Sequence, residues 1–219
     1  MKKTILYSHG FGVERDDRGL FTDIAAALPS FRHVMFDYNL IDAERHRLTV
    51  QPIDIQAALL QKQYNELHEA NEDVTLICHS QGCLVAALAQ LPRVAKTVFI
   101  TPAQTINVDA FLKKFVDRPN TVIDRNGVST FGRKDGSTTI VPKQYLDSIE
   151  QIDVEAAYRN LATRTELLVI SAKDDEVLRM TNFDYLNDVA RVTTLAGDHN
   201  FSDAEDRTAM VRMVSEFLR

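Results

Sequence analysis

The sequence predicts an α/β fold, in which a mostly parallel six-stranded sheet carries helices on both faces. Six short apolar segments occur along the chain, and most are separated by longer segments with the spacing of amphipathic helices. Such alternation is typical of a parallel sheet that is covered on both sides. A length of 219 residues suits a single domain of this class, because it provides one sizeable core and little more.

The strands are predicted where apolar and β-branched residues follow one another, at residues 4–8, 33–37, 74–78, 96–101, 166–171 and 192–195. The helices are predicted from apolar residues spaced three and four apart, at residues 20–28, 52–70, 83–91, 182–190 and 204–218. Pro29 and Pro92 end the first and third of these helices, and Pro52 suits the first turn of the second.

A segment of about 60 residues between the fourth and fifth strands is too long for an ordinary connection. It predicts a helix at 107–116, a β-meander of strands 121–125, 128–133 and 137–141, and helices at 142–152 and 154–162. Asn126-Gly127 and Asp135-Gly136 favour the tight turns of that meander. We therefore expect residues 104–163 to form a cap subdomain within a single domain of residues 1–219. The alternative is a set of extra helices packed on the side of the sheet.

The composition argues against several classes of protein. Twenty-five basic and 31 acidic side chains give a net charge of −6, so nucleic acid is not an expected partner. No apolar run approaches the roughly 18 residues that cross a membrane. The apolar stretch after Lys2 and Lys3 is too short for a secretory signal. Because two cysteines make no disulfide framework, we expect a protein of the reducing cytoplasm.

Ser80 lies where the third predicted strand meets the next helix, in the segment Cys78-His79-Ser80-Gln81-Gly82. A tight turn between strand and helix pushes a serine hydroxyl beyond the end of the sheet, where it can act as a nucleophile. Such a turn needs small residues two before and two after the serine, and Cys78 and Gly82 meet that need. The N-terminus of the following helix would stabilise an oxyanion. The alternative is a helix-capping serine without chemistry.

An acid and a base follow in chain order, each after a later strand. Asp174 belongs to a cluster of carboxylates after the strand at 166–171, and His199 lies in a loop after the strand at 192–195. The carboxyl ends of parallel strands share one rim of a sheet. We therefore predict that Ser80, Asp174 and His199 meet as nucleophile, orienting acid and general base. Taken singly, Asp174 or Asp175 could instead begin a helix, and His199 could occupy a surface loop.

A glycine-containing loop, His9-Gly10-Phe11-Gly12, follows the first strand. Its glycines let the loop fold over the nucleophile and direct a backbone N–H at the reacting carbonyl oxygen. The predicted oxyanion donors are the N–H groups of Phe11 and Gln81. A dinucleotide-phosphate loop is the alternative, but the third glycine of that motif is absent and Asp37 is the only acidic candidate after the second strand.

Together these segments resemble the α/β-hydrolase family. The loop 9–12, the elbow 78–82, the acid turn 173–177 and the histidine loop 198–201 match it in order and in position relative to the strands. The resemblance implies the α/β-hydrolase fold, an acyl-enzyme intermediate on Ser80, and a cap after the strand that follows the elbow. It favours Asp174 over Asp175 as the acid. The mixed cap is similar to those of small bacterial serine esterases, including cinnamoyl esterases.

Two features depart from the family pattern. Cys78 stands where the family usually has glycine, which the small thiol should allow. The first strand matches the third strand of the family, so we expect a reduced sheet without the antiparallel edge pair.

The expected function is hydrolysis of small carboxylic esters, with a small-molecule ester as the partner and with no cofactor or metal ion. Thioesters and amides need the same residues, so a thioesterase or an aminopeptidase-type enzyme is an alternative, as is a non-catalytic ligand-binding protein. Cys78, His79 and Cys83 do not indicate zinc, because neighbouring strand residues point to opposite faces. His79 is expected to pack inside the elbow.

Overall fold

The computed structural model describes residues 2–92, 94–104, 107–178 and 182–219. Its strands, in chain order, are β1 (Lys2–Ser8), β2 (Arg32–Val34), β3 (Leu40–Asp42), β4 (Arg47–Thr49), β5 (Glu72–His79), β6 (Lys96–Ile100), β7 (Val128–Gly132), β8 (Thr138–Pro142), β9 (Glu166–Ala172) and β10 (Arg191–Leu195). The main sheet has the order β10-β9-β6-β5-β1-β2, and every pair in it is parallel. This six-stranded parallel sheet confirms the predicted α/β class.

Helices cover both faces of the main sheet. The helices of the described residues are α1 (Leu20–Ala27), α2 (Ile53–Glu69), α3 (Gln81–Leu88), α4 (Val108–Lys113), α5 (Lys143–Ile149), α6 (Val154–Ala162) and α7 (Ala204–Leu218). Helices α1 and α7 contact each other on one face, while α3 contacts α2 and α6 on the other. Successive strand residues point to opposite faces, so Ile77 joins the core under α1 and α7, whereas Leu76 and Cys78 join the core under α2 and α3.

A second, four-stranded sheet has the order β3-β4-β8-β7. Its β7–β8 hairpin was predicted, but its β3–β4 hairpin was not. Each strand of the β3–β4 hairpin has three residues, which is too short for alternation of apolar and polar residues to be recognised. The strand predicted at 121–125 is reduced to one bridge, between Val122 and Thr130. There the Ser129 hydroxyl accepts from the Asp124 N–H and donates to its carbonyl, in place of a backbone ladder.

The helix predicted at 182–190 is also shorter in the structure, which has a single 3₁₀ turn at Asp184–Leu186. The Asn182 side chain accepts a hydrogen bond from the Asp184 N–H at 2.7 Å. Such a local bond between side chain and backbone competes with regular helix formation.

The segment at 104–163 divides between two locations. Residues of α4, β7 and α5 line a cavity above Ser80, whereas α6 packs against α3 on the main sheet. The assignment of the whole segment as a cap subdomain stays a prediction. Among the described residues, none of the helices is both long enough and apolar enough to span a bilayer.

Candidate active site

Ser80 lies in a sharp turn between β5 and α3. Its φ of 52° and ψ of −120° are seldom adopted by residues other than glycine and cost about 1–3 kcal/mol. The main sheet holds this turn in place, because the Ser80 N–H donates to the Ile100 carbonyl at 2.9 Å. Gly82 lets α3 approach β1, since a Cβ at this position would lie 2.0 Å from the Ser8 carbonyl oxygen. The serine is thereby fixed at the carboxyl end of the sheet.

His199 lies in the loop after β10 and faces Ser80. Its Nε2 atom is 2.9 Å from the Ser80 Oγ atom, and its side chain is buried. The His199 backbone carbonyl accepts hydrogen bonds from Thr101 Oγ1 at 3.0 Å and from His79 Nε2 at 3.1 Å. Thr101 follows β6 and His79 ends β5, so the ends of two central strands fix the position of the histidine.

The carboxylate that contacts His199 is Asp175 and not Asp174, which corrects the sequence prediction. Asp175 Oδ2 is 2.7 Å from His199 Nδ1, whereas the Asp174 side chain is exposed. The pairing of β9 with β10 continues past the end of the strand, because the Asp174 N–H donates to the Gly197 carbonyl at 3.0 Å. Asp174 is therefore still on the extended segment, and the turn toward the histidine comes one residue later.

Asp175 is also fixed on its other side. Its Oδ1 atom accepts hydrogen bonds from the N–H groups of Val177 at 2.9 Å and Leu178 at 2.6 Å. The carboxylate is 2% exposed, so these bonds and the one to His199 satisfy it away from water. Oδ2 is thereby directed at the histidine ring.

Phe11 and Gln81 line the same cavity as Ser80 and His199. Within the described ranges, neither of their backbone N–H groups has a hydrogen-bond acceptor. The Gln81 N–H lies at the first turn of α3, where unpaired N–H groups carry the positive end of the helix dipole. Phe11 follows Gly10, whose own N–H donates to Asp17 Oδ2 at 2.7 Å. The role of Phe11 and Gln81 as oxyanion donors stays a prediction.

The Gln81 side chain connects the start of α3 to two other helices. Its Nε2 atom donates to Gln56 Oε1 of α2 at 2.8 Å, and its Oε1 atom accepts from the Tyr145 hydroxyl of α5. All three side chains are buried. The residue that follows Ser80 is therefore held by α2 and by α5.

His79 does more than pack inside the elbow, because both of its ring nitrogens are hydrogen-bonded. Nδ1 lies 2.7 Å from Asp17 Oδ2, and Nε2 lies 3.1 Å from the His199 carbonyl oxygen. When Asp17 is ionised, its carboxylate and the His199 carbonyl can only accept, so each ring nitrogen carries a proton and the ring is an imidazolium. Burial lowers the pKa of His79, but the charge and hydrogen bond of Asp17 and the bond to the His199 carbonyl together outweigh burial and leave that pKa raised. Burial likewise raises the pKa of Asp17, but the charge and hydrogen bond of His79 and the bond from the Gly10 N–H together outweigh burial and leave that pKa lowered.

The Asp17–His79 pair joins three parts of the candidate site. Asp17 accepts the Gly10 N–H of the glycine loop, and His79 precedes Ser80 and holds the His199 carbonyl. No sequence signal marks Asp17, because it lies in the polar run Glu14-Arg15-Asp16-Asp17-Arg18, where the acids look alike. Its contact with a residue 62 positions away appears only in the folded chain.

This pair predicts a specific dependence of stability on pH. A raised histidine pKa stabilises the folded state below pH 6.5, and this contribution is lost as pH rises through the folded-state pKa. A lowered aspartate pKa stabilises it above pH 3.8, and this contribution is lost as pH falls through the folded-state value. We therefore expect the unfolding free energy, measured with urea, to decline as pH rises above 6.5.

The double variant Asp17→Asn/His79→Gln should lose this decline, because neither position carries a charge that depends on pH. The matched control is His46→Gln, which removes an exposed histidine and should retain the decline. An unchanged pH profile in the double variant would show that the pair is not ionised in the folded state.

A cavity of about 1040 Å³ lies over Ser80. One side of it is aromatic: the Phe11 ring centroid is 4.9 Å from that of Phe111 and 5.4 Å from that of Tyr145. Phe115, on the same wall, stacks on Phe131 with centroids 4.1 Å apart. This wall suits an apolar group of a bound molecule.

No protein-family model matches the sequence, and no curated protein matches it. Solved structures do match the fold over nearly the whole chain. The esterase domain of a Rhodothermus marinus protein has a TM-score of 0.67 at 19% identity, over 98% of this chain and 85% of that one. A structure from a study of two metagenome-derived lipolytic enzymes, LipS and LipT, has a TM-score of 0.69 at 17% identity. The match covers 100% of this chain and 94% of that one. A monoacylglycerol lipase from Paleococcus ferrophilus has a TM-score of 0.64 at 16% identity. The match covers 98% of this chain and 93% of that one. The chain thus has the α/β-hydrolase fold.

Proposed function

We propose that the chain is a serine hydrolase that cleaves carboxylic esters of small acyl groups through an acyl-enzyme intermediate. One observation carries the proposal: a hydrogen-bonded path runs from Ser80 Oγ to His199 Nε2 at 2.9 Å, and from His199 Nδ1 to Asp175 Oδ2 at 2.7 Å. This is the arrangement of nucleophile, base and orienting acid that acyl transfer needs. The fold supports the proposal, because its structural neighbours include an esterase domain and a lipase.

In the first half of the proposed reaction, Ser80 Oγ attacks the ester carbonyl carbon while His199 Nε2 takes the serine proton. Asp175 stabilises the resulting imidazolium through its bond to Nδ1. The N–H groups of Phe11 and Gln81 stabilise the oxyanion. The tetrahedral intermediate then expels the alcohol, which receives its proton from His199, and leaves the acyl group on Ser80.

In the second half, a water molecule attacks the acyl-enzyme and His199 acts again as the base. Collapse of the second tetrahedral intermediate releases the carboxylic acid and returns the proton to Ser80. The aromatic wall formed by Phe11, Phe111 and Phe115 supports an apolar acyl or alcohol group in the substrate.

We also propose a cytoplasmic protein whose partner is a small-molecule ester and neither nucleic acid nor a membrane. The two cysteines, Cys78 and Cys83, are both free and buried, which suits a reducing compartment. Burial raises the pKa of the Cys78 thiol, so it is protonated and unreactive at neutral pH.

The proposal is tested by covalent labelling with a fluorophosphonate probe, together with turnover of 4-nitrophenyl butyrate. An activated serine displaces fluoride from the probe, so we expect one adduct per chain on the peptide that contains Ser80, and loss of turnover in proportion to labelling. The exposed serine variant Ser202→Ala is the control and should be labelled as the unmodified protein is. A protein that binds esters without being labelled would instead be a non-catalytic ligand-binding member of the fold.

A substrate panel separates the remaining enzyme classes. The butyryl group is presented as a 4-nitrophenyl ester, as a coenzyme A thioester and as an anilide, and kcat/KM is measured for each. The proposal expects the ester to give the highest value. A higher value for the thioester or the anilide would assign the site to a thioesterase or to an amide hydrolase.

A further inference from the structure

Three arginines line the cavity above Ser80, and among the residues that the structure describes none of them forms an ion pair with a carboxylate. They are Arg18, Arg118 and Arg133. By contrast, Arg125, Arg159 and Arg207 each pair with at least one acid elsewhere on the surface. The chain as a whole is acidic, with a net charge of −6, so a local group of unpaired cations is unexpected from composition.

Neutral partners hold these three side chains in place. Arg133 donates from Nη2 to the Gly12 carbonyl at 2.5 Å and from Nε to Thr139 Oγ1 at 2.7 Å. Arg18 donates to Asn200 Oδ1 at 2.9 Å, beside His199. The guanidinium of Arg118 lies 4.4 Å from the centre of the Phe115 ring. Such contacts orient the guanidinium groups and leave their charges without a counter-ion.

The charges also act on one another. Burial lowers the pKa of Arg133, and with the cations of Arg18 and Arg118 it brings that pKa to about 10, while Asp135 opposes them by less. Acids also line the cavity, and two of them have other partners. The Asp135 carboxylate accepts two bonds from Ser137, and Glu176 accepts the His199 N–H at 3.2 Å. Asp117 also lines the cavity, at its exposed edge.

From this arrangement we infer that the cavity binds an ester that carries an anionic group, a carboxylate or a phosphate, next to an apolar portion. Arg18, Arg118 and Arg133 contact the anion, and the aromatic wall contacts the apolar part. Guanidinium groups suit carboxylates and phosphates because their planar N–H donors match the oxygen atoms of these anions. The inference rests on the proposed function, which places the scissile ester at Ser80.

The experiment compares three inhibitors of 4-nitrophenyl butyrate turnover: hexanoate, hexyl phosphate and the neutral hexanamide. At low ionic strength we expect at least one anion to have an inhibition constant about tenfold lower than that of hexanamide. The advantage should shrink in 0.5 M NaCl, because Arg18 and Arg118 are exposed and salt screens their charges. The stronger of the two anions identifies the carboxylate or the phosphate as the group bound. Equal inhibition by all three compounds would overturn the inference.

Single substitutions test which side chains cause the preference for anions. Arg18→Gln and Arg118→Gln should each reduce the ratio of anion to hexanamide affinity by about fivefold, because each removes one charged donor. Lys113→Gln is the matched control: it removes one positive charge from the exposed end of α4, outside the cavity lining, and should keep the ratio. A ratio that falls equally in all three variants would show that only net charge matters, and would overturn the assigned contacts.

Failure of the inference is distinguishable from failure of the proposed function. If 4-nitrophenyl butyrate is hydrolysed and the anions have no advantage, the inference alone is wrong. If no ester is hydrolysed, the affinities of the same three compounds are measured by calorimetry, and a preference for the anions still supports the anion site. Equal affinities in that measurement would overturn the site.

Discussion

Asp175→Asn is expected to lower kcat for 4-nitrophenyl butyrate by about 10⁴-fold, the size of effect seen when the orienting acid of a serine hydrolase is amidated. The expected stability change is small by comparison, because asparagine has the shape of aspartate. The measurement is kcat from initial rates, together with the midpoint of thermal unfolding.

The expected loss of kcat follows from the hydrogen bonds that Asp175 accepts on the side away from His199. Its Oδ1 atom accepts from the N–H groups of Val177 and Leu178, so an asparagine would place its carbonyl oxygen there and turn its NH₂ group toward His199. Nδ1 of His199 would then have to accept a hydrogen bond, and the ring proton would move to Nε2, which faces Ser80. A histidine with a proton on Nε2 cannot take the proton of the serine.

Asp174→Asn is the matched control, since it makes the same chemical change one residue earlier. Asp174 is exposed, so we expect kcat within about twofold of the value for the unmodified protein, in line with ordinary surface substitutions. Equal losses in the two variants would show a general effect of charge. A large loss in Asp174→Asn alone would restore the acid that the family resemblance favours.

The sequence was sufficient for the main sheet, because buried parallel strands are short, apolar and separated by helices. Strands β5, β9 and β10 could be recognised without a structure, and with them the rim on which Ser80 and His199 meet. The elbow at Ser80 could also be recognised from the sequence, because position 82 requires a small residue and the sequence has glycine there. The strands and the elbow are determined by residues close together in the sequence, so a local sequence pattern is enough to predict them.

The choice between Asp174 and Asp175 depended on something that the sequence does not display. It is decided by how far the pairing of β9 and β10 extends, and that pairing joins residues more than 20 positions apart. The same holds for Asp17, which lies in a turn whereas its partner His79 ends β5, and for the arginines, which reach the cavity from separate loops. Side chains that meet only through tertiary structure leave no local pattern.

Gly82→Ala is expected to destabilise the protein by about 3 kcal/mol, at the upper end of the cost of overpacking, and to lower the thermal midpoint by about 6–12 °C. A Cβ at position 82 would lie 2.0 Å from the Ser8 carbonyl oxygen and 2.7 Å from that of His9. Both are backbone atoms of β1 and the loop that follows it, and they cannot move aside as a flexible side chain would. Helix α3 would therefore have to withdraw from the sheet and carry Ser80 away from His199.

Gly19→Ala separates this steric effect from the conformational preference of glycine. Gly19 has a φ of 84°, but a Cβ there meets nothing within 4 Å, so the substitution should cost only the about 1 kcal/mol of a left-handed alanine. Thermal unfolding should then show a loss of about 2–4 °C for Gly19→Ala, and turnover should persist. If Gly82→Ala were no less stable than Gly19→Ala and still hydrolysed the ester, the close approach of α3 to β1 would not be what positions Ser80.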